Sequence, residues 1–213
     1  MEDESRHQCL IYDGAPSQKL RMLAIILQRK LDEGYRCLYL NSAPMYAGMR
    51  STLAAMGIDV ASEIAKARLI LSSEPVSSGR DFESGVMLNK LEDSLDQALN
   101  DGYKGLWATG DMTWEFGSGK NFSKLLEYEW GLEEIFHKRK ELCGICQYHQ
   151  DTLPQEAMRQ SLLTHPNIVI SDTLSRINPL YLKSTQHAEL KNTPAHVLDE
   201  MIASLCGLQG GYG

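Results

Sequence analysis

Side chains that could bind a ligand follow two short apolar runs in the middle of the chain. The runs occupy residues 105–109 and 142–148. The groups at their ends combine a carboxylate, an amide, an imidazole and two large rings: Asp111, Trp114, Gln147, Tyr148 and His149. Rings of this kind supply apolar walls with polar tips, and the other groups orient a small molecule by hydrogen bonds. The pattern predicts a binding pocket, although such rings also pack into cores without any ligand.

Two cysteines of the second run, Cys143 and Cys146, have the C-x-x-C spacing. This spacing suits a zinc site or a redox pair. A closed zinc site needs four ligands, and the chain has no second C-x-x-C, although Cys9, His7 or His165 could converge in space. In a strand, however, residues three apart face opposite sides of the sheet, and cysteine is among the most buried residue types. We therefore predict buried structural cysteines, no metal site and no cofactor.

The elements that must position these groups alternate along the chain. Apolar runs predict strands at 8–12, 36–40, 68–71, 105–109, 142–148 and 168–170, with a less regular candidate at 173–182. Helical periodicity falls between them, at 16–33, 44–57, 59–66, 82–100, 122–136, 153–163 and, last, from about Pro194 to Leu205. Alternation of this kind predicts βαβ units around a mostly parallel sheet. Ligands of such sheets bind beyond the carboxyl ends of the strands, where the polar groups named above fall.

A nucleotide site is one alternative for an α/β chain of this kind. The phosphate loop G-x-x-x-x-G-K-[ST] should follow the first strand, but the chain reads YDGAPSQK there. A similar fragment, Gly119-Lys120, would need glycine at 114 and serine or threonine at 121, where the chain has Trp114 and Asn121. A ring at 114 blocks the wrap of backbone around phosphates. Asp111 has the position of a Walker B carboxylate, yet it could equally order its own turn, so the sequence disfavours ATP hydrolysis.

Composition narrows the class of protein further. The 213 residues carry a net charge of -7, which argues against a nucleic-acid surface. The polar start MEDESRHQ does not resemble a secretory signal, and no run approaches the roughly 18 apolar residues of a membrane span. Five scattered cysteines fit a reducing compartment. We expect a cytoplasmic globular protein without direct contact to nucleic acid or membrane.

Six segments, taken in order, resemble one family. They are HQCLIYDG at 7–14, GYRCLYLN at 34–41, GYKGLWATGDMTW at 102–114, LLEYEWGLEEIF at 125–136, CQYH at 146–149 and THPNIVI at 164–170. The ordered set is similar to the MEDS domain, the methanogen/methylotroph sensory domain named from a regulator of dichloromethane metabolism. The resemblance covers residues 6–172.

This resemblance implies a RecA-like α/β fold that has lost its ATPase motifs, in agreement with the missing phosphate loop. It also implies sensing of small hydrocarbon derivatives beside a DNA-binding regulator or a histidine kinase. The family's suggested ligand contacts match His7 and Cys146 here. Asp111 departs from the glutamate that is commoner in the family, and the chain contains no recognisable helix-turn-helix or kinase module.

The sequence and the resemblance together predict a three-layer α/β sensory domain over 1–182, a helical extension over 183–206 and a disordered tail over 207–213. The predicted function is non-enzymatic binding of a small organic molecule, with a signalling protein as partner and a homo-oligomer left open. An ATP-binding protein and a ligand-free interaction module are the alternatives. No residue is assigned a catalytic role. The predicted ligand contacts are His7, Tyr12, Asp111, Trp114, Cys146, Gln147, Tyr148 and His149.

Overall fold

Seven strands form the centre of the protein, as seen in a computed structural model that describes residues 6–73, 82–115, 122–183, 185–186 and 192–209. The strands are β1 (His7–Tyr12), β2 (Arg36–Leu40), β3 (Leu69–Ser72), β4 (Leu106–Asp111), β5 (Leu142–His149), β6 (Asn167–Val169) and β7 (Ser175–Ile177). Their order in the sheet is β3-β2-β4-β5-β1-β6-β7, and only β7 runs antiparallel to its neighbour. The predicted α/β fold with a mostly parallel sheet is confirmed.

Eight helices connect and cover these strands in the described ranges. They are α1 (Leu20–Asp32), α2 (Ala43–Ala55), α3 (Val60–Ala65), α4 (Ser84–Asn100), α5 (Met112–Glu115), α6 (Leu125–Lys138), α7 (Gln155–Thr164) and α8 (Ala195–Gln209). Helices α1, α2 and α3 pack on one side of the sheet, called the α1 face below. Helices α4, α6, α7 and α8 pack on the other side, called the α6 face.

Local sequence signals set several of the helix ends. The carboxylate of Asp59 accepts a hydrogen bond from the backbone nitrogen of Ser62 at 3.0 Å, which caps the start of α3. Gly34 ends the turn after α1 with a φ of +88°, a conformation that glycine adopts without steric cost. The predicted helix from Pro16 instead starts with a 3₁₀ turn, Pro16–Lys19, and becomes α-helical at Leu20.

Two expectations about helices need correction. The helical period over 82–100 predicts an apolar side of α4 made by Val86, Leu88, Leu91, Leu95 and Leu99. Leu95 is buried and the other three leucines pack against the core, but Val86 is 42% exposed, and Met87 and Ala98 are buried as well. The predicted tail was to begin at 207, but α8 continues to Gln209.

The last helix belongs to the core of the α6 face. Leu198, Ile202 and Leu205 of α8 are each at most 4% exposed and pack with residues of α7 and β1. Burial of three such side chains contributes several kcal/mol of hydrophobic stabilisation. Within the described ranges, none of the helices has the length and hydropathy needed to cross a bilayer.

Candidate functional site

The predicted ligand contacts divide between the two faces of the sheet. Successive residues of a strand point to opposite faces, so Cys146 and Tyr148 lie on the α6 face while Gln147 and His149 lie on the α1 face. On β1, His7 stacks on Phe136 of α6, whereas the ring of Tyr12 packs in the core of the α1 face. Tyr12 and Tyr148 are both fully buried on opposite faces, and so they do not form one pocket wall.

One predicted contact lies at the limit of what the structure describes. Trp114 is in the short helix α5, but its side chain is outside the described residues. The fragment 117–120, which resembles part of a phosphate loop, is also outside them.

The polar groups on the α1 face bond mainly to the neighbouring strand or to the adjacent turn. Gln147 donates from Nε2 to Thr109 Oγ1 at 2.9 Å, and Thr109 donates from Oγ1 to the carbonyl of Ile145 at 2.7 Å. Asp111 accepts a hydrogen bond at 2.8 Å from the backbone nitrogen of Thr113, as expected for a carboxylate that orders its own turn. Burial, together with the charge of Asp111, raises the pKa of Tyr12. Across the strand ends, these side chains help to hold the turns in place.

The turn after β1 is occupied by protein groups. Gly14, with a φ of +72°, donates its backbone nitrogen to Asp151 Oδ2 at 3.0 Å. Its carbonyl oxygen accepts a hydrogen bond at 2.7 Å from His149 Nε2. A phosphate loop needs free backbone nitrogens at this junction. The geometry here agrees with the absence of a Walker A sequence and gives His149 a role in holding the turn.

A different constellation lies in the core of the α6 face. Four buried residues place their donor atoms within 4.8 Å of one another: His7, Glu129, Cys146 and His165. They come from β1, α6, β5 and the residue that follows α7. Their exposed fractions are 1%, 0%, 7% and 0% respectively. A carboxylate and two imidazoles so deep in a core need partners, because burial of an unpaired charge is very costly.

Hydrogen bonds around the cluster fix the orientation of each ring. His7 donates from Nδ1 to Glu133 Oε2 at 2.6 Å. His165 donates from Nδ1 to the carbonyl of Ser161 at 2.8 Å, at the C-cap position of α7. The hydroxyl of Tyr148 donates to Glu129 Oε1. The Nε2 atoms of both histidines therefore face the centre of the cluster.

The protonation states of the surrounding groups follow from burial and these bonds. Burial, followed by the nearby His7, lowers the pKa of His165 well below its usual value, so that this ring is neutral at pH 7. Burial alone would raise the pKa of Glu133, but hydrogen bonds from His7 and Tyr181 lower it below the usual value. Burial and the charge of Glu129 raise the pKa of Tyr148. The cluster thus contains one neutral imidazole, His165, and it is bordered by the ionised carboxylate of Glu133 and by Tyr148, which keeps its proton.

An apolar pocket of about 180 Å³ borders this cluster. It lies between α4, α6 and the sheet, and Cys146 contributes to its floor. Its other lining residues are mainly apolar and include Leu38, Leu40, Met87, Leu91, Ala108, Met112, Tyr128, Leu132 and Phe136. Phe136 also stacks on His7, with ring centroids 4.5 Å apart. Pocket and cluster are therefore adjacent: Cys146 belongs to both, and Phe136 lines the pocket while it stacks on His7 of the cluster.

Sequence reasoning brought His7 and Cys146 forward and named His165 among the residues that could converge with the cysteines, but it missed Glu129 and Glu133. Glu129 was detectable in principle, because it lies on the apolar stripe of α6, four residues after Leu125 and three before Leu132. A carboxylate in such a stripe signals a buried partner. The local sequence does not fix the position of His165, because that position depends on the pairing of β6 with β1.

Comparisons with known proteins give the chain its family. No curated protein sequence matches it significantly. One solved structure that is similar belongs to an uncharacterized protein of Pyrococcus horikoshii, determined in complex with an unknown peptide. It is 17% identical, with a TM-score of 0.55 over 85% of each chain, which supports the fold alone. The sequence profile of MEDS, described as "MEthanogen/methylotroph, DcmR Sensory domain", matches residues 6–166, and the chain therefore belongs to the MEDS family of sensory domains.

Proposed function

We propose that this protein is a non-enzymatic sensor that binds a small, mainly apolar organic molecule in the pocket between α4 and α6. The observation that carries the proposal is the pocket itself, which is lined by apolar side chains and has a thiol on its floor. Ligand sites are usually apolar concavities with a few polar groups that orient the ligand. Membership of a sensory-domain family supports the same role.

The size of the pocket limits the ligand. A volume of about 180 Å³ is close to that of engineered apolar cavities that hold benzene, which are about 150 Å³. A molecule of one to roughly eight non-hydrogen atoms fits, and a nucleotide does not. The polar groups available to it are few: the thiol of Cys146 on the floor, the side chains of Ser94 and Lys90 on α4 and the hydroxyl of Tyr128 on α6. The preferred ligand is therefore a short hydrocarbon derivative with at most one polar group.

The position of the same pocket suggests how ligand binding would be transmitted to a partner protein. Helices α4 and α6 pack on each other, and Ser84 of α4 donates a hydrogen bond to Glu127 of α6 at 2.6 Å. A ligand between these helices and the sheet changes the free energy of any motion that separates them. Much of the outer surface of α4 is exposed and polar. We propose this surface as the contact for a signalling partner, such as a histidine kinase or a DNA-binding regulator.

A thermal-shift titration tests the binding step. The probes are benzene, 1-butanol and dichloromethane, with ATP and magnesium as a comparison. We expect the melting temperature to rise with at least one organic probe and to be unaffected by ATP, because ligand binding stabilises the folded state by mass action. No response to any organic probe at millimolar concentration, or a response to ATP alone, would contradict the proposal.

A pair of variants on one helix locates the binding site. Leu91→Phe enlarges a side chain that lines the pocket, and so it should abolish the response to the organic probe. Val86→Phe makes the same kind of change at a position on α4 that is 42% exposed and does not line the pocket. It should leave the response intact. An equal loss in both variants would place the binding elsewhere.

A further inference from the structure

The spacing of the buried cluster on the α6 face matches that of ligands around a metal ion. His7 Nε2 is 3.8 Å from Cys146 Sγ and 3.7 Å from Glu129 Oε2, and His165 Nε2 is 3.3 Å from the same carboxylate oxygen. Zinc bonds of about 2.0 Å to nitrogen or oxygen and 2.3 Å to sulfur, in a tetrahedron, separate the ligand atoms by about 3.3–3.6 Å. These three separations lie within a few tenths of an ångström of this range, and all four donor atoms lie within 4.8 Å of one another.

Hydrogen bonds to neighbouring residues orient three of the four cluster side chains, His7, His165 and Glu129, so that their remaining donor atoms could bind a metal. A histidine that binds a metal through Nε2 almost always donates its other ring nitrogen to a carboxylate or a backbone carbonyl. His7 does so to Glu133, and His165 does so to the carbonyl of Ser161. His165 Nε2 has no hydrogen-bond partner in the part of the chain that the structure describes, although it is fully buried. Tyr148 orients the remaining oxygen of Glu129.

The donor set indicates which metal fits. Two imidazoles, one thiolate and one carboxylate provide four ligands of intermediate softness, which suit zinc. Magnesium and calcium prefer oxygen ligands and would not use the thiol. We propose that His7, Glu129, Cys146 and His165 bind one divalent transition-metal ion, with zinc as its occupant. Four protein ligands complete a tetrahedral site, which is the arrangement of structural rather than catalytic zinc.

Such a site would connect four separate parts of the fold. His7 begins β1, Glu129 is in the middle of α6, Cys146 is in β5 and His165 precedes β6. The metal would hold α6 onto the sheet beside the pocket, because Cys146 and Phe136 belong to both surroundings. The inference goes beyond the proposed sensing function and does not depend on it, since the cluster is complete without any molecule in the pocket.

Metal analysis of the purified full chain is the direct test. The protein is produced with a histidine-free tag in chelator-free buffer and analysed by inductively coupled plasma mass spectrometry. We expect one zinc per chain. A protein that contains no metal and also fails to take up zinc in competition with a chromophoric chelator would overturn the proposal. A different first-row metal at the same ratio would support the site and replace zinc as its occupant.

Two cysteines of the same strand form a matched pair of variants. Cys146→Ser removes a proposed ligand and should lower zinc affinity at least about 100-fold. Cys143→Ser, three residues away on the opposite face, should leave zinc content unchanged. Glu133→Gln should weaken zinc binding about 10- to 100-fold, because it alters the partner of a ligand rather than a ligand. Loss of zinc in Cys143→Ser with retention in Cys146→Ser would refute the assignment.

Cobalt substitution provides a test that does not depend on the folding of any variant. Cobalt(II) added to metal-free wild-type protein should give the intense visible bands of a tetrahedral site and a thiolate-to-cobalt charge-transfer band. One equivalent should saturate both signals, and zinc should displace them. Weak octahedral bands without charge transfer would mean that the thiol is not a ligand, which would overturn the proposal.

Discussion

The two faces of the sheet use their buried polar side chains differently. On the α6 face, side chains from four separate elements direct their donor atoms at one another. On the α1 face, the buried polar side chains bond to adjacent strands and turns. Gln147 and Thr109 exemplify the second arrangement, since each hydrogen bond links β5 to β4. His7 and His165 exemplify the first, since their Nε2 atoms converge on Glu129. Polar groups that hydrogen-bond between neighbouring strands are accounted for by their contribution to the fold. Donor atoms that converge on a common centre indicate something to be bound there.

The close packing of α6 onto the sheet gives the largest expected effect. Gly144 of β5 lies opposite His7 and Ala108, and a Cβ at this position would be 2.3 Å from the carbonyl oxygen of Ala108 and 3.4 Å from the ring of Phe136. Backbone cannot yield as a flexible side chain can, so Gly144→Ala must separate strands or displace α6. We expect a loss of about 3 kcal/mol in the free energy of unfolding, measured by urea denaturation.

A second glycine provides the control for this substitution. Gly207 lies on an exposed position of α8, and a Cβ there meets no atom within 4 Å. Gly207→Ala should stabilise the protein by up to about 1 kcal/mol, because alanine has the higher helix propensity. Equal stabilities for the two variants would mean that neither the backbone of β4 at Ala108 nor Phe136 of α6 packs tightly against Gly144.

The sequence was informative about this architecture and less so about the site. Strands and helices could be predicted because apolar runs alternate with segments of helical periodicity along the chain. The two-residue period of a strand also correctly predicted that Cys143 and Cys146 lie on opposite faces of the sheet. The site depended on long-range pairing. His7 meets His165 only because β6 lies beside β1, and no local pattern specifies that neighbour.

The resemblance to a known family identified His7 and Cys146, whereas reasoning from strand ends emphasised Tyr12, Gln147 and His149. The structure places the first pair in the converging cluster and the other three among residues that contact one another or the turn after β1. Position at a strand end is a general property of ligand sites in parallel sheets. It does not distinguish side chains that hold a ligand from side chains that hold a turn.

Two tyrosines sharpen the comparison between the faces. Tyr148 is fully buried on the α6 face and donates to Glu129, so Tyr148→Phe leaves a buried carboxylate without that donor. We expect a loss of about 1–3 kcal/mol in the free energy of unfolding.

Tyr12 is fully buried on the α1 face, and its hydroxyl has no hydrogen-bond partner among the described residues. Tyr12→Phe should therefore change stability by less than about 0.5 kcal/mol or increase it slightly.

Both tyrosine variants are measured by urea denaturation in buffer that contains a chelator, so that a bound metal does not contribute. A cost for Tyr12→Phe equal to that for Tyr148→Phe would show that the α1 face also depends on its buried hydroxyl. The contrast between the two faces would then be lost.

The smallest expected effect concerns the outer layer of the α6 face, where α8 meets α7. Asp199 accepts two hydrogen bonds from Arg159 and one from Gln155, each at 2.8 Å, and these bonds lower the pKa of Asp199 from 3.8 to about 2. A carboxyl with a lowered pKa in the folded state stabilises the protein when ionised. That contribution is complete above the pKa of the unfolded state, near 3.8, and is lost as the pH falls toward 2.

Asp199→Asn should therefore lower the melting temperature slightly at pH 7, with a difference from wild type that shrinks below pH 4. Asp93→Asn, at an exposed position of α4, should show no such convergence. A difference for Asp199→Asn that stays constant from pH 7 to pH 3 would mean that the charge of Asp199 does not help to hold α8 on α7.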